Sequence, residues 1–554
     1  MSSPQLLTAN LPSTDAFQRP RDDASLEERI SISYRRARAI AKQYALTSHD
    51  VLYLTPKFWD LHMDNIFALD SAALTLLTIQ YNLSAGTLAP FAEQRPDLRP
   101  LMNDIMKFNV SAQYLLTEVA HGLDAPNLET TATLLPSGEF DLHTPNEGAR
   151  KFMPPTGPFG SVPRVAIVFA RLMVKGENRG IRPFVVALGN GKEMCKGVSM
   201  RLLPQRGGIQ PVDHGVTSFN HVRLPAASLL GFLANPANHR THFISSIWRV
   251  SVGSLALATL SIPLLSVHAY AAARYSLRRM VKGSNGVQVP IMSFRTQQLP
   301  ILLALAQAAV MKAYAKAAIQ IYRDSSLDER VRSGVAAAAK AAMTHHACSS
   351  LSDLSERFGA RGLFEYNQVI PSELLMRGIR IAEGDVLVLC IRLANELHLV
   401  DTAPQSQISG VSPCRLRSLF ADCRALLARF GHNHRDERLS HLLLPLCLPL
   451  VQAIGHRMAY EAALDAQVDR ALVDLYEANI VSMDSAWYSE KAALPHLEKY
   501  LTATAAEEYA VSPILNTKSW DSFLAGLPMY SGNAEVSLIP SPPRVIHAPV
   551  MAHL

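Results

Sequence analysis

The stretch that decides the fold is VAIVFA at residues 165–170, followed by IRPFVVAL at residues 181–188. Short apolar runs that are rich in β-branched residues and bounded by glycine-rich turns predict buried strands. The upstream segment ETTAT at residues 129–133 is also rich in strand-forming residues. Together these runs predict a β domain over residues 112–240.

Helical sequence surrounds this β domain. From Leu26 to about Phe108 apolar residues recur at helical spacing, and the residues before Leu26 are polar enough for a loose tail. Downstream we predict one long helix up to Arg279, a second from about Pro300, a third over residues 330–358 and a fourth after Glu383. Further helices are predicted after a loop at residues 404–413.

The order of these elements predicts an α+β multidomain chain. Its parts are an N-terminal helical domain, a central β-barrel-like domain, a C-terminal four-helix bundle and a second C-terminal helical domain. The predicted limits, after a tail at 1–25, are residues 26–111, 112–240, 241–403 and 404–554.

Composition excludes several functional classes. The net charge of +6 is spread along the 554 residues, so no nucleic-acid footprint is present. Six cysteines without a C-x-x-C pair indicate a reduced compartment. The apolar stretch at residues 251–273 contains Pro263 and His268, which favours a buried helix over a membrane span. His432 and His434 have no partner at zinc spacing, so we expect no metal.

Glu383 is the strongest candidate for chemistry. It is a lone carboxylate before the apolar helix VLVLCIRLA at residues 386–394. Poor solvation raises the pKa of such a carboxylate, which makes it suitable as a general base. The alternative is that Glu383 only complements the dipole of a helix N-terminus.

Several short strings occur in one order along the chain. They are TEVAHG at 117–122, LETTAT at 128–133, KFMPPTG at 151–157, RYSLRR at 274–279, FRTQQ at 294–298 and EGD at 383–385. In this order they resemble the peroxisomal acyl-CoA oxidases, which have the acyl-CoA dehydrogenase fold. The resemblance is clear from about residue 60 to 400 and fainter to about 502.

The resemblance implies FAD as cofactor and a role for five residues. Thr117 would hydrogen-bond the flavin ring, and Gly157 would approach it through its backbone. Arg279 and Gln298 would reach the adenosine-pyrophosphate end of a flavin in the neighbouring subunit. Glu383 matches the family's catalytic base.

Three positions depart from the family strings. Ala120 replaces a glycine, and Val386 replaces the asparagine that follows the family's E-G-E. Pro155 stands where the family has the flavin-contacting glycine, and it has no N–H to donate. The segment also lacks two tryptophans and is about two residues longer, so Gly157 is expected to take over after a shift.

The implied reaction is the α,β-dehydrogenation of an acyl-CoA thioester to 2-trans-enoyl-CoA, with O₂ reduced to H₂O₂. The roughly 150 residues after Ala403 favour an oxidase over a dehydrogenase. The family resemblance implies a homodimer. The ending Ala552-His553-Leu554 fits a relaxed peroxisomal address, read by the import receptor. We therefore expect a peroxisomal location, and otherwise a cytoplasmic one.

Two alternatives remain open at this point. One is a dehydrogenase-like flavoenzyme of secondary metabolism that acts on a polyketide or another acyl thioester, favoured by the altered flavin wall. The other is a non-catalytic acyl-CoA-binding relative without flavin, for which Pro155 is the reason.

Overall fold

The chain folds as a helical N-terminal part, two central β-sheets and a helical C-terminal part. The computed structural model describes residues 7–21, 23–204, 207, 211–399, 415–430 and 437–485. This order confirms the predicted α+β architecture. The loop at 404–413, the chain after residue 485 and the segment Ala552-His553-Leu554 lie outside the described residues.

The N-terminal helices precede the first strand. They are α1 (Leu26–Tyr44), α2 (Ser48–Leu52), α3 (Pro56–His62), α4 (Ser71–Leu77), a π-helical segment (Thr78–Ala85), α5 (Gly86–Gln94) and α6 (Arg99–Met106). Helix α1 begins where the sequence predicts because Ser25 and Glu28 form a capping box. Ser25 Oγ accepts from the Glu28 N–H at 3.2 Å, and the Ser25 N–H donates to Glu28 Oε2 at 2.8 Å.

The C-terminal helices follow the β domain. They are α7 (His239–Ser246), α8 (Arg249–Thr259), α9 (Ser261–Arg278), α10 (Arg295–Arg323), α11 (Glu329–Arg357), α12 (Val369–Ile381), α13 (Val386–Leu399), α14 (Arg415–Arg429), α15 (Glu437–Asp465) and α16 (Arg470–Met483). The largest apolar core includes Trp59 and Leu76 from the N-terminal helices as well as Leu264, Tyr314 and Tyr476. The two helical parts therefore share one core, and the predicted domain limits stay a prediction.

Among the described residues, nine strands lie in the region for which the sequence predicts a β domain. They are β1 (Ser111–Leu115), β2 (Thr131–Leu134), β3 (Phe140–His143), β4 (Lys151–Pro155), β5 (Arg164–Val174), β6 (Glu177–Gly189), β7 (Val198–Leu202), β8 (His214–Phe219) and β9 (Val222–Leu224). One sheet has the order β1-β5-β2-β3-β9, with β6 on the other edge of β5, and the second has the order β4-β8-β7. A common core that includes Phe140, Val168, Phe184 and Phe219 joins the two sheets.

Three helical stretches among the described residues are long and apolar enough to cross a membrane by length and composition alone. They are Arg249–Arg278, Arg295–Arg323 and His441–Asp465. The first contains residues 251–273, which the sequence predicts as a buried helix. In the structure 83% of the most apolar 18 residues of this stretch is buried inside the fold, so the stretch is part of the core.

The predicted long helix up to Arg279 is wrong in one detail, because it is two helices that meet at Leu260. Pro263 lies in the first turn of α9. A proline is tolerated there because the N–H groups of a first turn have no intrahelical partner. It cannot continue a helix from α8, since it has no N–H for the Thr259 carbonyl.

The predicted start of α10 at Pro300 is also wrong, because the helix begins at Arg295 and contains Pro300. Pro300 cannot donate to the carbonyl of Thr296, four residues earlier. The guanidinium of Arg357 takes that place, with Nη1 donating to the Thr296 carbonyl at 2.9 Å. A bond between distant parts of the chain thus replaces the local one that the sequence cannot make.

Helix α12 is absent from the sequence prediction, and it changes the setting of Glu383. Glu383 lies in the turn between α12 and α13 and does not open α13. The cap of α13 is Asp385, whose Oδ1 accepts from the N–H groups of Leu387 at 3.0 Å and Val388 at 3.2 Å. The alternative role of Glu383 as the dipole partner of that helix therefore falls to Asp385.

A buried ion pair fastens the loop after β1 to strand β4. Lys151 Nζ donates to Glu118 Oε1 at 2.9 Å and to the Phe169 carbonyl at 2.7 Å, and both charged side chains are fully buried. The Glu118 carboxylate also accepts from the N–H groups of Glu129 at 2.7 Å and Thr130 at 3.0 Å. Lys151 Nζ also donates to the Leu116 carbonyl at 3.4 Å, so the pair holds the backbone on both sides of Thr117.

We expect Lys151→Met to lower the free energy of unfolding by about 3–5 kcal/mol, because it leaves Glu118 as an uncompensated buried charge. Denaturant titration followed by circular dichroism measures this loss. The control is Lys151→Met combined with Glu118→Gln, which removes both charges and should recover at least half of the loss. Equal instability of the single and double variants would contradict the ion-pair explanation.

Candidate functional site

The turn between α12 and α13 carries Glu383 in an uncommon backbone conformation. Glu383 has φ +52° and Gly384 has φ +96°, so two successive residues are left-handed. This region is unfavourable for a residue with a side chain, and it costs about 1–3 kcal/mol where the surroundings enforce it. Outliers of this kind cluster at functional sites, and Glu383 is one of eleven non-glycine residues with positive φ among the described residues.

The carboxylate of Glu383 points at the N-terminal helices. Glu383 Oε2 accepts a hydrogen bond from Asn82 Nδ2 at 2.8 Å. Asn82 belongs to the π-helical segment, a type of element that is frequent at functional sites. The amide also donates to the carbonyl of Arg249 at 3.1 Å, and Arg249 Nε donates back to the Asn82 carbonyl at 2.8 Å. Asn82 is thus held in place before it meets Glu383.

Burial dominates the electrostatics of Glu383. Although part of the residue reaches solvent, loss of hydration around the carboxylate raises its pKa to about 8. The positive charge of Lys340, the Asn82 hydrogen bond and Arg249 act in the opposite direction. Burial likewise lowers the pKa of Arg249 to about 9. A carboxylate whose pKa lies near neutrality suits a general base that must both take up and release a proton.

Two glycines make room for this arrangement. A Cβ built on Gly253 of α8 would overlap the Glu383 carboxylate and lie 2.5 Å from Asn82 Nδ2. A Cβ built on Gly86 would overlap the guanidinium of Arg249. The close approach of α8 to Glu383 and of the start of α5 to Arg249 therefore requires glycine at both positions.

Buried polar atoms without a partner lie in the same region. Tyr114 Oη and Asn82 Oδ1 are buried and make no hydrogen bond within the described residues, and the charge of Glu383 helps to raise the pKa of Tyr114, after burial. Buried polar groups are nearly always paired in folded proteins. Such atoms beside a buried carboxylate are what a polar ligand group would satisfy.

Thr117 lies three residues beyond Tyr114, next to an exposed apolar surface. Its carbonyl accepts from the Phe152 N–H at 2.9 Å. Phe152, Val119 and Leu123 are 38%, 51% and 74% exposed. A partly exposed threonine beside apolar side chains fits a flat ring with a polar edge, because the ring packs on the apolar groups and the edge takes hydrogen bonds. These residues therefore fit a flavin.

Strand β4 forms a bulge next to Pro155, the residue that replaces the flavin-contacting glycine of the family strings. The register against β8 shifts between Phe152 and Pro155, and Met153 has φ +46°. A bulge inserts extra chain into one strand and bends it. Gly157 lies beyond the bulge, where a Cβ would come within 2.6 Å of the Phe159 ring and 2.7 Å of the Met200 methyl group. A side chain at position 157 would have to displace Phe159 and Met200, and the flavin contact of Gly157 stays a prediction.

Arg279 and Gln298 lie together at the other end of α9, beside the hairpin of β10 (Met280–Lys282) and β11 (Gln288–Pro290). The carbonyl of Arg279 accepts from the Ile291 N–H at 2.8 Å, and Gln298 Nε2 donates to the Met292 carbonyl at 2.9 Å. Arg279 is exposed. Within the described ranges no hydrogen bond links these two residues to the Glu383 cluster, so their role towards a neighbouring subunit stays a prediction.

Sequence reasoning missed the residues that surround Glu383. Asn82, Arg249 and Lys340 come from three helical segments far apart in the chain. Lys340 could have been found from the sequence, since it is the one charged residue among the alanines of residues 336–342. No sequence feature distinguishes Asn82, because a polar residue is ordinary on the exposed face of any helix.

Two other features lie apart from this site. A cleft of about 950 Å³ between α1 and α6 is lined by Arg38, Lys42 and Lys107 and by none of the predicted site residues. No group of three His, Cys, Asp or Glu side chains in the described part of the chain is arranged to hold a metal ion. His432 and His434 lie outside it.

Comparison with known proteins identifies the relatives of this arrangement. Residues 254–398, which contain Lys340 and Glu383, match the family model described as acyl-CoA oxidase, C-alpha1 domain. Acyl-coenzyme A oxidase 2, peroxisomal, of Arabidopsis thaliana is 25% identical over 360 residues, which cover 60% of this chain and 52% of that protein. Peroxisomal acyl-coenzyme A oxidase 3 of Homo sapiens is 25% identical over 312 residues, covering 54% and 44%. The chain thus spans about half the length of these sequence relatives.

Solved structures share the fold over nearly the whole chain. The crystal structure of acyl-CoA oxidase1 from Yarrowia lipolytica has a TM-score of 0.73 at 18% identity and covers 97% of this chain and 90% of that one. Acyl-CoA oxidase-2 of Caenorhabditis elegans, bound with FAD, ascaroside-CoA and ATP, has a TM-score of 0.71 at 18% identity, with coverage of 96% and 91%. At this level of identity the likeness establishes the fold.

We expect Gly253→Ala to push the Glu383 carboxylate away from Asn82 and to lower the free energy of unfolding by about 1–3 kcal/mol, the usual cost of overpacking. Thermal and denaturant unfolding measure the loss. In the Glu383→Ala background the same substitution should cost much less, since the clashing carboxylate is gone. Additive losses in the double variant would show that Gly253 clears some other group.

Proposed function

We propose that the chain belongs to the acyl-CoA oxidase family and is an FAD-dependent oxidase that converts an acyl-CoA thioester and O₂ to 2-trans-enoyl-CoA and H₂O₂. The observation that carries this proposal is the buried carboxylate of Glu383, with its pKa near 8, at the position that matches the family's catalytic base. The order of the motif strings and the fold support the same assignment.

Glu383 is the base in this proposal. The α-proton of a thioester is weakly acidic, so its removal needs a poised carboxylate and a polarised carbonyl. Glu383 takes the proton while Asn82 Nδ2 holds Oε2 of the carboxylate in place. The Glu383 N–H is the donor that we assign to the thioester oxygen, as the family resemblance implies.

FAD is the cofactor in this proposal, and when bound it supplies the acceptor for the hydride that leaves the β-carbon. Thr117 and the apolar surface formed by Phe152 and Val119 would hold the ring. Gly157 would line it from the end of β4, and Arg279 and Gln298 would bind the pyrophosphate end of a flavin in a second subunit. The related Caenorhabditis elegans oxidase, solved with FAD, supports this cofactor.

The proposed partners follow from the same relationship. They are an acyl-CoA, molecular oxygen and a second copy of the chain, since Arg279 is exposed and lies away from Glu383. The relatives named as peroxisomal support a peroxisomal location. Co-localisation of a fluorescent fusion with a peroxisomal marker tests that location, and a diffuse cytoplasmic pattern would count against it.

The bulge at Pro155 and the exposed Phe152 favour a second candidate, a flavoenzyme of the same fold that serves a specialised biosynthetic thioester. Both residues lie in the segment that forms the wall beside the flavin ring in the family resemblance. A yellow protein that is inactive on straight-chain acyl-CoA but active on branched or polyketide thioesters would support this candidate over fatty acid β-oxidation.

An absorbance spectrum of the purified protein tests the main proposal. We expect oxidised flavin bands that bleach when a medium-chain acyl-CoA is added without oxygen and return, with peroxide formed, when air is admitted. A protein without these bands after incubation with FAD would overturn the enzyme assignment and would favour the flavin-free acyl-CoA-binding relative.

We expect Glu383→Gln to lower turnover by about 10²–10⁴-fold, because the general base is lost, while flavin absorbance is retained. In the unmodified enzyme kcat/KM should fall as the pH drops below about 8, since a protonated Glu383 cannot accept the α-proton. Glu329→Gln, which removes an exposed carboxylate from α11, is the matched control and should leave both quantities unchanged. A pH profile that Glu383→Gln does not alter would assign the base elsewhere.

A further inference from the structure

Lys340 is a fully buried lysine in the alanine-rich part of α11. Its neighbours Ala339 and Ala341 are also buried, so the helix approaches its partners closely at this point. A buried ammonium is costly unless it is paired and hydrogen-bonded, and burial lowers the pKa of Lys340 to about 8. Its presence here requires an explanation beyond helix packing.

The ammonium of Lys340 hydrogen-bonds to the backbone of the turn that carries Glu383. Lys340 Nζ donates to the carbonyl oxygens of Ala382 at 2.5 Å, Gly384 at 2.6 Å and Glu383 at 3.3 Å. An ammonium has three donors, so these three acceptors use its full capacity. No ion pair within 4 Å joins Lys340 to a carboxylate in the described residues, so Lys340 binds the backbone of the turn.

The convergence of three successive carbonyls follows from the left-handed conformation of the turn. Glu383 at φ +52° and Gly384 at φ +96° turn their carbonyls to the same side as that of Ala382. Three carbonyl dipoles that point at one place repel each other, and a positive charge between them removes the repulsion. Lys340 therefore stabilises the backbone conformation that Glu383, as a residue with a side chain, would otherwise avoid.

A second bond clamps the same turn from another helix. Ser254 Oγ of α8 donates to the Glu383 carbonyl at 2.5 Å. The carbonyl of Glu383 is thus held by α8 and α11, while its carboxylate is held by Asn82 of the N-terminal helices. The bonds from Lys340 and Ser254 to this turn, together called the clamp, set the direction in which the Glu383 side chain extends from the backbone.

We propose that Lys340 is the positioning residue of this site: its buried ammonium holds the left-handed turn at Ala382–Gly384 so that the Glu383 carboxylate meets Asn82. The inference rests on the proposed function, in which Glu383 is the base. Lys340 itself stays buried beneath the turn, and it acts on the reaction only through Glu383.

Lys340 also belongs to the set of charged and titratable groups that faces Glu383. The set comprises Lys340 on α11, Arg249 on α8 and the hydroxyl of Tyr114 on β1, and Asp385 faces Lys340 from the same turn. Burial raises the pKa of Glu383, and the positive charge of Lys340 is the largest of the effects that lower it. Loss of the charge alone therefore raises that pKa further.

Three substitutions separate the charge of Lys340 from its hydrogen bonds. Lys340→Arg keeps charge and donors, Lys340→Gln keeps two donors without charge, and Lys340→Met keeps neither. Hydrogen–deuterium exchange of the backbone at residues 378–390, read by mass spectrometry, should be at least about fivefold faster in Lys340→Met and intermediate in Lys340→Gln. This readout needs no turnover and therefore tests the clamp by itself.

The kinetic expectation is a loss of kcat without a matching change in KM. Lys340→Met should lower kcat by about 10–100-fold with KM within about twofold, because Lys340 does not touch the substrate. In Lys340→Gln the low-pH limb of kcat/KM should move up by about one pH unit, whereas Lys340→Arg should keep the limb of the unmodified protein.

Lys316→Met is the matched control, because Lys316 is an exposed lysine on the neighbouring helix α10. It should change neither the exchange nor the kinetics. Unchanged exchange at residues 378–390 in both Lys340→Met and Lys340→Gln would overturn the proposal. If Glu383→Gln retained full activity while Lys340→Met accelerated exchange, the assignment of the base would fall and the clamp would stand.

Discussion

A hydrogen bond between Asn82 and Glu383, 301 residues apart, joins the N-terminal helices to the C-terminal bundle at the candidate site. Its length of 2.8 Å leaves little freedom for the helices that present the two side chains. Position 253 has no room for a side chain because α8 passes directly beside this bond. The buried guanidinium of Arg249 holds the backbone of Asn82 through a hydrogen bond to its carbonyl. The π-helical segment, α8 and the turn between α12 and α13 thus meet at one contact.

Burial and charge act against each other at this contact. A carboxylate that loses its hydration favours the neutral form, and the cations of Lys340 and Arg249 favour the ionised form. The result is a pKa near 8, a value between that of a solvated glutamate and that of a wholly uncompensated one. A group in this range can exchange a proton with a carbon acid and release it again, which is the property that the proposed reaction uses.

The β domain contributes rigidity on the other side of the site. The buried pair of Lys151 and Glu118 fixes the chain around Thr117, and β4 takes up extra residues in a bulge before Pro155. The loss of a backbone N–H at Pro155 therefore affects only the short bent segment of β4 that contains the bulge. In the same sheet β7 and β8 pair without a register shift from Val198 to Leu202.

The sequence by itself determined the helix–sheet–helix order, the strands β5 and β6 and the candidacy of Glu383, because periodicity, turn residues and a lone carboxylate before an apolar run are local signals. The tertiary structure decided the rest. It divided the helix at Leu260, moved the start of α10 to Arg295 and added α12, where bonds such as that of Arg357 to Thr296 replace local ones. It also placed Asn82, Arg249 and Lys340 around Glu383, since contacts between residues 43 to 301 positions apart leave no periodic trace in the chain.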